Sequence, residues 1–330
     1  MNNAPHQTLP KHVIARELRQ LFVGRVDIDV PLDKISRWRI GGVADIIVQP
    51  RSIEDVATLR RWLYEREMHH VLIGETSNLL FSDKGVRSIC IKMGSLFSKI
   101  DIQDNIVTAE AGVWVPRLAR TAMKSGLTGL EHACGIPGTL GGLIYMNGGS
   151  LRQGVGSVVT TVTSIDSRGE LVKRTFDECD FSYRSSIYQK EDEIVVLASM
   201  ELDRAGGGTR EVRGTMLEIL SSRRKKFPRK EPNCGSVFIS NPSMYEKYGA
   251  PGKVIEDSGY KGLEVGRAKV SDLHANFIVN LGGAKAVDVM HIIKEVRSGV
   301  ENATGYRMDI EARYVDSVNG IIPLEKAMEI

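Results

Sequence analysis

The sequence predicts an α+β protein, a large N-terminal unit followed by a smaller α+β unit. Three observations carry that reading. Short runs rich in branched residues are interleaved with segments whose apolar residues recur at helical spacing. A polar stretch with three consecutive glycines, RAGGGTR (204–210), divides the chain. The length of 330 residues exceeds one ordinary small core and predicts two or three domains.

In chain order, residues 11–22 (KHVIARELRQLF) have helical periodicity, and DIIVQ (45–49) reads as a strand. Residues 52–66 form a second predicted helix, opened by the cap residue Ser52. His69 and His70 precede an apolar run and read as a helix end. VLIG, RSICIKM and NIVTAEAG follow as short strands. Residues 116–126 then make a helix bounded by Pro116 and Gly126. Three strands, VVTTVTSID, ELVKRTF and EIVVLASMELD, complete the first unit near Asp203. Beyond the linker, residues 211–227 predict a helix ending in a basic run. GSVFI, NFIVN and RMDIEARYV predict strands, and residues 284–305 a helix.

Composition narrows the function. An apolar content of 42% with 26% charged residues describes a soluble globular protein. The net charge of +3 suits an anionic small molecule and does not indicate nucleic acid. The basic run SSRRKKFPRK lacks the interleaved aromatics that stack bases. No apolar run reaches the about 18–20 residues of a membrane span, and the first residues lack a signal-peptide apolar region. Cys90, Cys134, Cys179 and Cys234 are scattered, which argues against a zinc site or redox pair and fits reduced thiols in the cytoplasm. Metal is not indicated, and oligomeric state is not legible.

Three segments join glycine to Asn, Ser or Thr: RIGGVAD (39–45), IGETSNLLFSDKG (73–85) and GIPGTLGGLIYMNGGS (135–150). Glycine lets backbone approach a bulky ligand, and successive free amide N–H groups cradle a diphosphate. None has the spacing of a dinucleotide fingerprint or a P-loop, and each taken singly reads as a turn. Together they point to a large phosphate-bearing cofactor.

WRIGGVAD, Gly74 with Ser77 to Leu80, and GLEHACGIPGTLGGLIYMNGG resemble the FAD-binding part of the UDP-N-acetylenolpyruvoylglucosamine reductase (MurB) family, in its shorter type II form. The resemblance runs from about residue 30 to about residue 316. It implies a PCMH-type flavoprotein. FAD would lie between two subdomains of residues 30–203, dividing near 95–105. Residues 1–29 would form a helix or arm, and 210–330 a substrate domain. At FAD it places Gly41, Gly42, Gly74, Ser77, Asn78, Leu79, Gly135, Ile136, Pro137, Gly138, Thr139, Gly141, Gly142 and Asn147. At the substrate it places Tyr183, Arg223, Asn241, His274 and Asn276.

The implied reaction is NADPH-dependent reduction of the enolpyruvyl group of UDP-N-acetylglucosamine enolpyruvate to UDP-N-acetylmuramate. It belongs to peptidoglycan and cell-wall biogenesis, and so to cell shape and the cell cycle. NADPH reduces FAD, and flavin N5 then passes hydride to the vinyl carbon, leaving a carbanion beside the carboxylate, drawn as an aci-enolate. FSYRSSIYQ resembles the family's YRxS motif and puts Arg184 where that charge is stabilised. GSVFISNP resembles GSVFKNP and makes Ser236 the proton donor. MDIEARYV resembles LEPEVR and puts Glu311 in the site. Read alone, Arg184 is a surface ion-pair partner and Ser236 a turn residue, with no G-x-S-x-G elbow or nearby His to make it a nucleophile. Strand alternation sets Asp309, Glu311 and Arg313 on one face, which alone reads as a solvent-facing stripe.

Three departures stand out. Glu75 and Thr76 replace two glycines of the family's GGGSN, so Glu75 either points away from the diphosphate or weakens FAD binding. Ile239 stands where the family has a substrate-anchoring lysine. The cations available instead are Arg223, Arg224, Lys225 and Lys226, or Arg229 and Lys230. Val265 and Arg267 alter the family's GGAxVS stretch. The alternative reading is therefore a paralogue with the same flavin machinery and a different enol or UDP-sugar-type substrate.

Overall fold

A computed structural model describes residues 9–21 and 23–329. Residues 1–8, Phe22 and Ile330 lie outside the described residues, including the end of the first predicted helix.

The described part of the N-terminal segment, from Leu9, is docked. The helix Lys11–Gln20 buries Ile14, Ala15 and Leu18 on one face, and the strand Arg25–Pro31 pairs antiparallel with Val43–Gln49. A boundary at residue 29 therefore falls inside an edge strand, one without the branched-residue run that flagged the others. The first sheet runs in the order Arg25–Pro31, Val43–Gln49, Val86–Lys92, His70–Ile73, with the last two interfaces parallel. The helix Ile53–Glu65 starts at Ser52, whose hydroxyl accepts the Asp55 N–H at 3.0 Å. That helix ends at Glu65, and His70 opens the strand His70–Ile73 instead of closing a helix. A strand of four residues is too short for its period to be read from sequence.

The second sheet is wholly antiparallel. Its order is Leu171–Thr175, Val159–Ile165, Ile194–Glu201, Ile106–Glu110, Ile100–Gln103. The helix Val115–Lys124 and the short helix Leu140–Tyr145 pack on its core. The first sheet ends at Lys92 and the second begins at Ile100.

Arg60 joins the two sheets. It is 2% exposed. Its Nε donates to Asp166 O at 3.0 Å and its Nη2 to Asp192 O at 2.9 Å, both beyond the helix that carries it. Its Nη1 lies 2.7 Å from His70 Nε2. A guanidinium only donates, so Nε2 must accept and His70 must be neutral. Burial, reinforced by Arg60, pulls the His70 pKa from 6.5 to about 4.

The linker is shorter than its sequence suggests, because the helix Gly208–Lys226 begins inside it. This helix buries Val212 and Met216 in the core of the large unit. The rest of the C-terminal part wraps a three-stranded sheet, Glu264–Val265, Ala268–Val270 and Ile278–Asn280, with the helix Ala286–Thr304. The predicted GSVFI strand is reduced to a bridge between Phe238 and Ile310, and RMDIEARYV is regular only over Arg313–Asp316. Both lose their ladders because each backbone is paired to a different neighbour along its length.

Four ties bind this part to the large unit. Strand Arg313–Asp316 pairs parallel with Leu79–Phe81, at Arg313↔Leu79, Tyr314↔Leu80 and Val315↔Phe81. Trp38 Nε1 donates to Ile278 O at 2.7 Å from a fully buried position. Asn280 Nδ2 donates to the carbonyls of Trp38 and Arg39 at 2.9 and 3.2 Å. Asp83 accepts the Ala286 N–H at 2.9 Å and so caps the helix Ala286–Thr304. Among the described residues no helix is long and apolar enough to cross a membrane.

The Arg60–His70 contact predicts a pH signature. Native His70 holds its proton less tightly than the unfolded chain does, so its contribution to stability is full above about pH 6.5. It is lost as pH falls toward about 4. Thermal melts between those values should show Tm falling on acidification, and His70→Gln should flatten that slope. An equal slope in the variant removes His70 as its source.

Candidate active site

Between the two sheets and the C-terminal part lies a cleft of about 1380 Å³. Two glycine-bearing turns line it in contact with each other. The turn Gly74–Leu79 leaves strand His70–Ile73, and the turn Gly135–Thr139 leads into the helix Leu140–Tyr145, capped by Thr139. A Cβ on Gly74 would sit 2.5 Å from Thr139 Oγ1, so the turns interlock only with glycine there. Along the first turn, the backbone N–H groups of Glu75, Thr76, Ser77 and Asn78 have no acceptor among the described residues. Successive unpaired backbone donors are the feature by which a loop holds an anion.

Thr76 takes a positive φ of 55°, costly for a β-branched residue. Its hydroxyl accepts the Arg37 N–H at 2.9 Å, tying the turn to the RIGG loop. Glu75 is among the residues lining the cleft.

Arg184, Ser236 and Glu311 come from three distant segments and line the same cleft. Arg184 Nε lies 3.0 Å from Glu311 Oε1, with the side chains 26% and 14% exposed. That N–H is buried and misaligned for a hydrogen bond. Burial pushes the Glu311 carboxyl above the ordinary glutamate range, against the pull of Arg184. Arg184 itself has a φ of +57°. Ser236 follows Gly235, whose φ of +91° turns the chain into the cleft and whose N–H donates to Asn233 Oδ1 at 3.0 Å. The Ser236 hydroxyl bonds to no described residue.

Backbone pairing sets this geometry. Glu311 N–H donates to Val237 O at 2.7 Å, which pairs the backbone that carries Glu311 with the one that carries Ser236. Asn78 brackets the same segment, accepting the Arg313 N–H at 3.0 Å and donating to Glu311 O at 3.0 Å.

Comparison with known proteins agrees with this arrangement. Residues 44–175 match the FAD binding domain family, and 227–315 match the C-terminal domain of UDP-N-acetylenolpyruvoylglucosamine reductase. UDP-N-acetylenolpyruvoylglucosamine reductase 1 of Corynebacterium glutamicum is 43% identical over 90% of this chain and 88% of its own. The chain belongs to the UDP-N-acetylenolpyruvoylglucosamine reductase family. The reductase of Heliobacterium modesticaldum is 40% identical over 88% of this chain and 90% of its own. The crystal structure of MurB from Thermus caldophilus superposes with a TM-score of 0.75 at 28% identity, over 88% of this chain and 98% of that one.

Within this reductase fold, eleven of the residues expected at the cofactor line the cleft: Gly74, Ser77, Asn78, Leu79, Gly135, Ile136, Pro137, Gly138, Thr139, Gly141 and Gly142. Gly41, Gly42 and Asn147 do not. A Cβ on Gly41 would strike Phe81 Cβ at 2.7 Å, and one on Gly42 would strike Asp83 O at 2.5 Å, so both glycines serve close packing. Asn147 donates to Ser182 O at 2.8 Å and accepts the Gly156 N–H at 3.0 Å, bracing the Arg184 loop.

Of the residues expected at the substrate, only Arg223 lines the cleft, joined by Arg224, Arg229 and Lys230; Lys225 and Lys226 do not reach it. Arg223 stacks over Phe227 at 4.8 Å. Tyr183 is an exposed platform 5.6 Å from the Arg184 guanidinium, and Asn241 caps the helix Pro242–Tyr248. His274 accepts the Asn276 N–H at 3.2 Å and packs on Phe227. Asn276 is 5% exposed; its side chain accepts from Phe238 N and donates to Phe238 O, both at 2.9 Å. Both its polar atoms are thus spent on holding the Ser236 segment.

Sequence reasoning missed Arg37, Arg39, Gln189 and Arg313, all cleft residues. Gln189 and Arg313 sit inside motifs already singled out, but spacing does not say which side chains of a loop meet.

Asn276→Ala should therefore destabilise the fold by about 2–4 kcal/mol, since it strands a buried donor and a buried acceptor. Denaturant unfolding measures this. An unchanged midpoint would return Asn276 to the list of ligand-contacting residues.

Proposed function

We propose that this protein reduces the enolpyruvyl group of UDP-N-acetylglucosamine enolpyruvate to UDP-N-acetylmuramate, with FAD as cofactor and NADPH as hydride-donating cosubstrate. The observation that carries this reading is the convergence of Arg184, Ser236 and Glu311 on a cleft with an anion cradle, in a chain of the reductase family. The residues present fit FAD: the cradle of Glu75 to Asn78 suits its diphosphate, and the interlocked glycine turns leave room beside it. FAD, when bound, supplies the hydride chemistry.

The protein's own groups handle charge and proton. The Arg184 guanidinium offers a planar fork to the substrate carboxylate, against which enolate charge develops. In the free enzyme that fork rests on Glu311. An arriving carboxylate opposes the Glu311 charge, and burial already favours its neutral form. Protonated, Glu311 donates a hydrogen bond to the enolate. The Ser236 hydroxyl, without a partner among the described residues, then protonates carbon.

The lysine missing at Ile239 is replaced in this reading by Arg223, Arg224, Arg229 and Lys230, which line the cleft and carry the charge to hold a substrate diphosphate. The packing of helix Gly208–Lys226 supports an FAD-binding part that extends to Lys226 and a substrate part that begins at Phe227. The reaction supplies peptidoglycan precursor for cell-wall biogenesis, hence cell shape and the cell cycle, and four free buried thiols accord with the cytoplasm.

The reading is tested anaerobically. Protein reduced with NADPH and mixed with UDP-N-acetylglucosamine enolpyruvate should reoxidise its flavin rapidly, followed by absorbance; a flavin that stays reduced sinks the assignment. Ser236→Ala should keep NADPH-driven reduction and lose about 10²- to 10⁴-fold in product formation, the usual worth of a general acid. Arg184→Lys should fall about 10²-fold or more in reoxidation, since an ammonium cannot reproduce the fork. Wild-type rates in either variant would remove that residue from its role.

A further inference from the structure

Arg184 holds a left-handed backbone, with φ +57°, in a loop of non-glycine residues. Such a conformation costs about 1–3 kcal/mol and persists only where its surroundings enforce it. A single side chain contacts the parts involved. Gln189 Nε2 donates to Arg184 O at 2.9 Å and to Tyr145 O at 2.9 Å, at the end of the helix that follows the glycine turn. Its Oε1 accepts from Arg313 Nη2 at 3.0 Å, two residues beyond Glu311. The amide orientation is dictated by its neighbours, because two carbonyls face the nitrogen and a guanidinium faces the oxygen.

We propose that Gln189 is a positioning residue. It holds Arg184 in its strained conformation and in register with the Glu311–Arg313 segment, so that guanidinium and carboxylate meet the substrate carboxylate together. Gln189 touches neither reacting atom; it acts through Arg184. The amide is specific to the task. A carboxylate at 189 would strengthen the bond to Arg313 but set negative charge against the carbonyls of Arg184 and Tyr145. An apolar side chain of similar size would lose all three bonds. Ser186 Oγ also donates to Tyr145 O, at 2.8 Å, and Asn147 holds Ser182 O, so the loop stays attached when Gln189 is replaced.

This inference rests on the proposed reductase activity, and the test separates the two. FAD content, NADPH-driven flavin reduction and single-turnover reoxidation by UDP-N-acetylglucosamine enolpyruvate are measured for the wild type, Gln189→Leu and Gln189→Glu. Both variants should bind FAD and accept hydride at wild-type rates. Both should lose about 30- to 100-fold in the limiting reoxidation rate, with half-saturation by substrate moved less than about threefold. Against an Arg184→Lys background, Gln189→Leu should cost less than about threefold, because the group it positions is already gone.

Variants that reoxidise at the wild-type rate overturn the positioning role. So does a Gln189→Glu protein as active as wild type, or additive losses in the double variant. Variants that lose FAD or fail to fold assign Gln189 to the scaffold and overturn it equally. A wild-type protein that does not reoxidise overturns the reductase reading instead.

Discussion

The site depends on one seam, the segment from Asp309 to Val315. On one side it exchanges backbone bonds with Val237 and Ile239, and on the other it pairs in parallel with Leu79–Phe81. These bonds join the strand after the turn Gly74–Leu79, the segment that carries Ser236 and the segment that carries Glu311. A one-residue slip would turn Glu311 inward to the core occupied by Met308, Ile310 and Ala312 and carry Ile310 into the cleft. Asn78 holds that register at Glu311 and Arg313, so the turn Gly74–Leu79 also fixes the segment that carries Glu311.

Across that seam the site stores electrostatic tension. Arg184 is strained in φ and its Nε meets Glu311 at 3.0 Å without a linear bond. Two desolvated charges in poor alignment gain less than their Coulomb attraction suggests. In the proposed reaction, a substrate carboxylate with a planar match to the guanidinium displaces Glu311 at low cost. Preorganisation here means a pair held close by rigid surroundings and not fully satisfied by each other.

Several motif residues that resemble ligand contacts are joints between the parts. Trp38 and Asn280 link the WRIGG loop to the FIVN strand, and Gly41 and Gly42 permit the loop to lie on Phe81 and Asp83. Asn276 and Asn147 brace the segments carrying Ser236 and Arg184. A cleft between separately folded layers needs such joints, because a small shift between layers separates reacting groups.

Local physics was legible in the sequence. The Ser52 cap, the helices Val115–Lys124 and Ala286–Thr304, the strands of the second sheet except its edge strand Ile100–Gln103, and the alternation of Met308, Ile310 and Ala312 all follow from periodicity and capping. The glycine-bearing turns and the Arg184, Ser236 and Glu311 motifs were legible as well, through family resemblance. What only the tertiary structure decided lies where strands are too short to show a period or where partners are far apart in sequence. Leu79–Phe81 is such a strand, and Gln189 with Arg313 such a pair, 124 residues apart. Composition and spacing record which residues a chain carries and which face of an element they share. Which two faces meet is settled by packing three layers at once, and that information is in no single segment.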